Sequence, residues 1–428
     1  MKFKIPALCI GLSFCLPVAG LSFCLPVAAQ RDSVSLPDIP GFVTLKCDFH
    51  LHTAFSDGHV WPTFRVNEAV RDNMDAISLT EHIDYEGAPD EIQRNYNRSY
   101  EIALERAKTR GKGLLIIKGA EISPRVPPYH NNAIFLKDID ALPIGYMKSG
   151  KKQFVMQDKP TKEQLMAPFL EAQKQGAFVF YNHPGYSWWD KKDTNIFTSF
   201  HQELYDKGIL RGVEVANSGR YNIIAHRLAM KYNLTMFSNT DEHYDAYARY
   251  EKTHRPMTLV FAREKSEKAI REALDTRRTA VYVDDYIIAR QPEAEALFKA
   301  SLSINARYAT RNGEKIIVVS IFNRSSVPYR TRFSADHDIE DYPLGELELK
   351  PFDTTRLTIT AVWNKPDRQK LKAVVSNIAV TPDEPLQIEF LLPVADEISA
   401  IDSLKIMRYN AHHANPPKRP DDISLIER

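Results

Sequence analysis

CDFHLHTAFSDG, residues 47–58, sets two imidazoles one residue apart, His50 and His52, after an apolar run and ahead of an acid at Asp57. Side chains two apart on a β-strand share a face, so the pair at a strand end is fitted to grip one cation. Leu45–His50 reads as that strand, Pro62 opens a helical pattern (TFRVNEAVRDNM), and DAISLT (Asp75–Thr80) reads as a second buried strand. The alternation continues with a helix at Glu91–Lys108 and strands at Leu114–Glu121 and His130–Lys137. A helix at Lys162–Lys174 follows, then strands at Ala177–Asn182 and Gly212–Asn217, a helix at Ile223–Met230 and a strand at Leu234–Ser238. Met257–Phe261, a helix at Glu267–Ala273 and the strand TAVYV close the series. Apolar strands alternating with amphipathic helices predict a parallel sheet covered by helices. About seven such units in about 240 residues favour an α/β fold of the distorted TIM-like (β/α)7 barrel type over an open sheet.

Beyond Pro292 the pattern changes. A short helix (PEAEALFKA) leads into SLSINARYA, KIIVVSIFN, YRTRFSA, ELELK, TRLTITAV, KAVVSNIAV and LQIEFLLPV, short alternating runs that predict an all-β sandwich. The expected organisation is a signal peptide at 1–29, a barrel at 30–290, an accessory β-sandwich at 291–409 and an extended polar tail at 410–428.

The N-terminal stretch carries Lys2 and Lys4 before an apolar run that ends in Val27-Ala28-Ala29 ahead of Gln30, the pattern of an export signal. GLSFCLPVA occurs twice in it, at Gly11–Ala19 and Gly20–Ala28. An uncleaved membrane anchor is the alternative, opposed by Pro17, Pro26, Gly11 and Gly20, which interrupt the span. Neither Cys15 nor Cys24 has the surroundings of a lipoprotein cleavage site. Cleavage after Ala29 removes two lysines from a chain of 56 Lys+Arg and 55 Asp+Glu, leaving a formal charge of −1. That balance gives no basic footprint for nucleic acid. Of the four cysteines only Cys47 remains, so no internal disulfide is expected. Cys47 is out of phase with both histidines and reads as a small buried hydrophobe.

Most expected barrel strands end in a residue able to bind metal. His50 and His52 with Asp57 are followed by His82 in SLTEHID, Glu121 in KGAEIS, His130 in YHNNAIF, His183 in YNHPGY, and Asp241 and His243 in SNTDEHYD. Six of the 13 histidines fall at these termini, a concentration that core packing does not produce. Taken singly, each has a plainer reading: His130 or His183 as a hydrogen-bonded structural residue, Glu121 as a buried acid satisfied by backbone donors, Asp57 as a turn cap. In a barrel the strand ends converge, and nine N/O donors in one small volume call for cations.

The order HxH…D, TEH, a lone Glu, two single-His motifs and a closing DxH resembles the PHP family, named for polymerase and histidinol phosphatase domains, over about residues 44–285. The words LKCDFHLHTAFSDG, VWPTFRVNEAV and DAISLTEHIDY are also similar to exported bacterial PHP phosphodiesterases of the Sb-PDE type. The resemblance implies up to three divalent ions. His50, His52, Glu121 and Asp241 would hold the first, Glu121, His130 and His183 the second, and Asp57, His82 and His243 the third. Imidazole and carboxylate ligands without thiolate suit Mn, Zn or Fe. Such ions would share a hydroxide and clamp phosphoryl oxygens, with Glu121 and Asp241 at the centre of the chemistry.

Other roles follow from position. Arg125 and Arg220 are placed to reach non-bridging oxygens, or else are ordinary surface arginines. Asp84, Asn182 and Asn217 sit beside ligands and are expected to fix imidazole tautomers. Tyr186, Trp188 and Trp189 either line an apolar pocket or plug the barrel mouth. The expected function is hydrolysis of a small-molecule phosphoester by an exported phosphodiesterase, with no nucleic-acid partner and no membrane span after signal cleavage. Alternatives are a phosphomonoesterase of the histidinol phosphatase kind and a surface binding protein with structural metals.

Overall fold

A computed structural model describes residues 34–85, 92, 95–149, 154–185, 196–340, 342–362 and 366–396. The expected signal, Glu91 at the start of the expected second helix, the loop with Tyr186, Trp188 and Trp189, and the polar tail lie outside the described residues.

Seven strands follow one another side by side: β1 (Val43–Leu51), β2 (Ala76–Leu79), β3 (Leu115–Ile122), β4 (Asn131–Ile134), β5 (Phe178–Tyr181), β6 (Leu210–Asn217) and β7 (Thr235–Asn239). Neighbours pair in parallel except at β4, which is antiparallel to both β3 and β5. The expectation of an all-parallel set is corrected there, because the short β3–β4 connection has no room for a crossover helix. The first and last strands meet just past their ends: Leu51 and Glu242 form a parallel bridge, Asp241 N–H donates to His50 O at 2.9 Å, and His52 N–H to Glu242 O at 3.1 Å. Nearer the start of β1, a further strand, β8 (Met257–Ala262), runs antiparallel to it. The Thr258 hydroxyl ties β8 to β7 by donating to Ser238 O at 2.9 Å.

Inside this ring the strands contribute one apolar cluster that includes Leu45, Cys47, Phe49, Ile117, Phe180 and Phe237. Phe180 stacks on Phe237 at 4.2 Å, and Phe49 meets Phe237 edge-on. Gly212 on β6 leaves the space for these rings, since a Cβ there would come within 2.5 Å of Phe237 Cε2. Cys47 is a free, fully buried thiol in that cluster, as its phase on the strand predicts.

The helices outside the ring begin and end on local chemistry. Pro62 occupies the first turn of Pro62–Arg71. Thr161 and Gln164 form a capping box on Lys162–Gln175, which stops at left-handed Gly176. Asn222 caps Ile223–Lys231 through two backbone N–H groups. The short helix Ser199–Asp206 and the hairpin Met147–Ser149/Phe154–Met156 were not expected.

After β8, Thr279–Val283 and Tyr286–Ala289 form a hairpin, and the second of these pairs in parallel with the long strand Arg368–Thr381 of the β-sandwich. Helix Gln291–Ser301 buries Ala294, Leu297 and Phe298 in a cluster that contains Ile77 and Leu259 of the ring and Ile317 and Val375 of the sandwich. The two halves therefore share both a sheet and a core.

Candidate metal centre

All nine residues expected as ligands meet at one end of the ring. His50 Nε2 and His52 Nε2 each lie 3.2 Å from Asp241 Oδ1, and 3.6 and 3.5 Å from Glu121 Oε2. On the other oxygen of Glu121, His130 Nδ1 lies at 2.9 Å and His183 Nε2 at 3.8 Å. Asp57 gathers His82 Nε2 at 3.3 Å and His243 Nε2 at 3.2 Å. Their ligand atoms fall into four groups, each within 4.8 Å: His52, Asp57, His82 and His243; His50, His52 and Asp241; His50, Glu121 and His183; His82, Glu121 and His130. The groups overlap more than the family pattern implies, for His82 also reaches Glu121 Oε2 at 3.0 Å and His52 belongs to two of them.

Divalent cations fit this donor set. His50 Nε2, both ring nitrogens of His52 and Glu121 Oε2 are buried and make no well-aligned hydrogen bond among the described residues, meeting only as imidazole–carboxylate contacts, a costly arrangement for protein atoms alone. The donors are nitrogen and oxygen only, suited to borderline and hard metals. Two of these residues also take left-handed backbone, Asp241 at φ 53° and His183 at φ 26°, a conformation that persists where surrounding contacts hold it.

The contacts that hold the ligands come largely from residues the sequence did not single out. Glu214, buried on β6, pairs with His50 Nδ1 at 2.8 Å and accepts from His183 N–H, Asn217 Nδ2 and Asn239 Nδ2 at 2.8, 2.8 and 2.9 Å. Its only sequence signal was an acid inside the apolar word GVEVAN. Glu81, next to His82, accepts from the hydroxyls of Thr53, Ser56 and Ser99 at 2.6, 2.6 and 2.7 Å and from Thr53 N–H at 3.1 Å. It thus fixes the tight turn that carries Asp57. Gly58 completes that turn, since a Cβ there would meet the His52 carbonyl carbon at 2.6 Å. Beneath the centre, Asp48 binds Arg255 Nη2 and the Thr240 hydroxyl, both at 2.7 Å.

The three expected supporting residues do touch this network. Asn182 donates to Glu121 Oε1 at 2.8 Å, and Asn217 acts through Glu214. Asp84 accepts from Ser123, whose hydroxyl also pairs with His82 Nδ1 at 2.7 Å. Arg125 and Arg220 are both exposed.

Charge and burial compete strongly here. Burial opposes protonation of His50, but Asp241, Glu214 and Glu121 outweigh it and hold that imidazole well above its usual value. His82 is likewise raised against burial by Asp57 and Glu121. His52 is pushed down to about 3, by burial first and then by the charge of His243. Burial also opposes ionisation of Glu121, yet His82, His130 and His50 keep it well below the carboxylate range.

The raised imidazoles stabilise the metal-free fold fully below their unfolded value and lose that contribution as pH rises through their folded values. The depressed carboxylate contributes above its unfolded value and loses its contribution as pH falls. Cations bind the deprotonated imidazoles, so at pH 7 loading with Zn or Mn is expected to release protons and apparent affinity to rise with pH. Calorimetric titration in buffers of different ionisation enthalpy measures this, and a heat independent of buffer would contradict it.

Comparison with known proteins agrees with this geometry. A PHP domain model matches residues 48–255, and an Ig-like domain model matches residues 302–391. The structure is similar, at a TM-score of 0.72 and 36% identity, to a crystal structure of a two-domain protein from Bacteroides vulgatus containing a predicted PHP-like metal-dependent phosphoesterase, with 85% of this chain and 99% of that one covered. An uncharacterized protein of Methanocaldococcus jannaschii is 32% identical over 84 residues, which is 20% of this chain and 36% of that protein's length. With the ligand order intact and a relative matched over nearly its whole length, the chain belongs to the PHP family of metal-dependent phosphoesterases.

Proposed function

We propose that the protein is an exported phosphodiesterase acting on small organic phosphodiesters or phosphonate esters. The observation that carries this reading is Glu121, whose two carboxylate oxygens face ligand nitrogens of different groups. One shared carboxylate suits ions close enough to act on a single phosphoryl group. His50, His52, Glu121 and Asp241 would hold one ion, Glu121, His130 and His183 a second, and Asp57, His82 and His243 a third, with Mn, Zn or Fe as the metals the donors suit. When bound, such ions neutralise phosphoryl oxygens and make water a stronger nucleophile.

The chain's own residues then act by position. Glu214 holds the His50 ring, Asn182 orients Glu121, and Glu81 fixes the turn of Asp57. Arg125 and Arg220 are assigned to the non-bridging oxygens from the solvent side. The diester preference and export rest on the likeness of the HLHTAFSDG words to Sb-PDE-type enzymes and on the N-terminal apolar stretch.

The test is hydrolysis of matched p-nitrophenyl phosphate mono- and diesters after metal is stripped and Mn or Zn restored. Faster metal-dependent turnover of the diester is expected. Preference for the monoester would turn the assignment to a phosphatase, and no turnover of either despite bound metal would favour a binding protein. Export is checked by sequencing the secreted chain, which should begin at Gln30.

A further inference from the structure

The ligands are not equally hidden. The side chains of His50, His52 and Glu121 are at most 1% exposed, whereas Asp57 and His243 are 31% and 28% exposed. A phosphoester therefore meets the centre over Asp57 and His243. Just beyond these two lie His59 and Tyr244, whose rings stack with centroids 4.3 Å apart and planes within 9°.

Both rings stand in solvent, Tyr244 at 59% exposure, on a backbone that is held fast. His59 N–H donates to His243 O at 2.7 Å, Tyr244 N–H to Glu242 Oε1 at 3.0 Å, and Tyr244 O accepts from the buried guanidinium of Arg65 at 2.6 Å. Two residues along, half-exposed Trp61 rests on buried Phe55 at 5.2 Å. Single exposed aromatic residues are ordinary, but a stacked pair on anchored backbone beside the open ligands presents flat apolar faces where an ester group would project.

We propose that the His59–Tyr244 pair is a subsite for the leaving group, taking the flat ring of an aryl phosphoester. The inference rests on the phosphoesterase reading and names its substrate class. In the hydrolysis, water adds at phosphorus and the bond from phosphorus to the aryl oxygen breaks. That oxygen keeps the electron pair, takes up a proton and leaves as a phenol. An alkyl group of similar bulk offers no π-face to stack.

The experiment is calorimetric binding of phenylphosphonate and methylphosphonate to the metal-loaded full chain, with kcat/KM for aryl and alkyl esters read alongside. The wild type is expected to bind phenylphosphonate about tenfold more tightly than methylphosphonate, in line with aromatic stacking. Tyr244→Ala and His59→Ala should each bring that ratio close to one, and Tyr244→Phe, which keeps the ring, should preserve it. A ratio near one in the wild type, or one unchanged in both alanine variants, overturns the subsite while leaving the phosphoesterase reading intact. Binding of neither probe, with no ester turned over, overturns both.

Discussion

Glu121→Gln is expected to lose bound metal and turnover together, with kcat/KM falling by about 10³-fold or more, on the order of 4 kcal/mol of transition-state stabilisation. The side chain is fully buried, and Asn182 already donates to Oε1. An amide can keep that one hydrogen bond with its oxygen, but its NH2 group must then face His50, His52 and His82, where an acceptor is required. The substitution also removes the negative charge at the centre of the cluster. Metal analysis should therefore show at least one ion fewer per chain. Full metal content with near-normal hydrolysis would show that Glu121 is not the shared ligand.

Asp48→Ala should give the largest loss of stability, about 3–5 kcal/mol, because it strands the charge of buried Arg255. Asp72, at 3.4 Å, is then the nearest remaining acid. Burial lifts the Asp48 carboxyl above its usual value even with Arg255 beside it, so the pair is poorly repaid for leaving water. Replacing both partners by apolar residues, Asp48→Leu with Arg255→Met, should accordingly restore much of the melting temperature. It should not restore metal affinity, because Asp48 also accepts from Thr240 N–H at 3.2 Å and from its hydroxyl, contacts that fix the residue before Asp241. Denaturation and metal titration on the single and double variants separate these effects. Affinity that recovers together with stability would mean that Asp48 acts on the fold alone.

The nine candidate ligands were legible as a group because they fall at or near strand ends, where hydrophobic runs stop and a His or acid stands out. Of their supports, Asp84, Asn182 and Asn217 were legible as neighbours of the motifs, whereas Glu214 and Asp48 sit inside strands and Glu81 beside a motif, where an acid reads as an exposed residue until its partners are known. Strand direction was also hidden. The apolar words of β4 and β8, both antiparallel to their neighbours, look like those of the parallel strands, and direction depends on connection and packing. Closeness in sequence does not carry burial with it: Arg125 follows Glu121 by four residues, yet its side chain is exposed while Glu121 is buried.

The strand Tyr286–Ala289 has Thr279–Val283 on one side and Arg368–Thr381 on the other, so the sheet passes from the ring into the Ig-like half. Heat should therefore meet one cooperative body in place of two beads on a string. Free energy released by cations binding at the candidate centre would then be shared by strands that touch none of its residues, and a chelator should lower the melting of the Ig-like half along with the rest. A scan with two endotherms, only one of them sensitive to chelator, would show the halves to be energetically separate. A single endotherm that shifts as a whole would mean that metal supply governs the persistence of the entire chain.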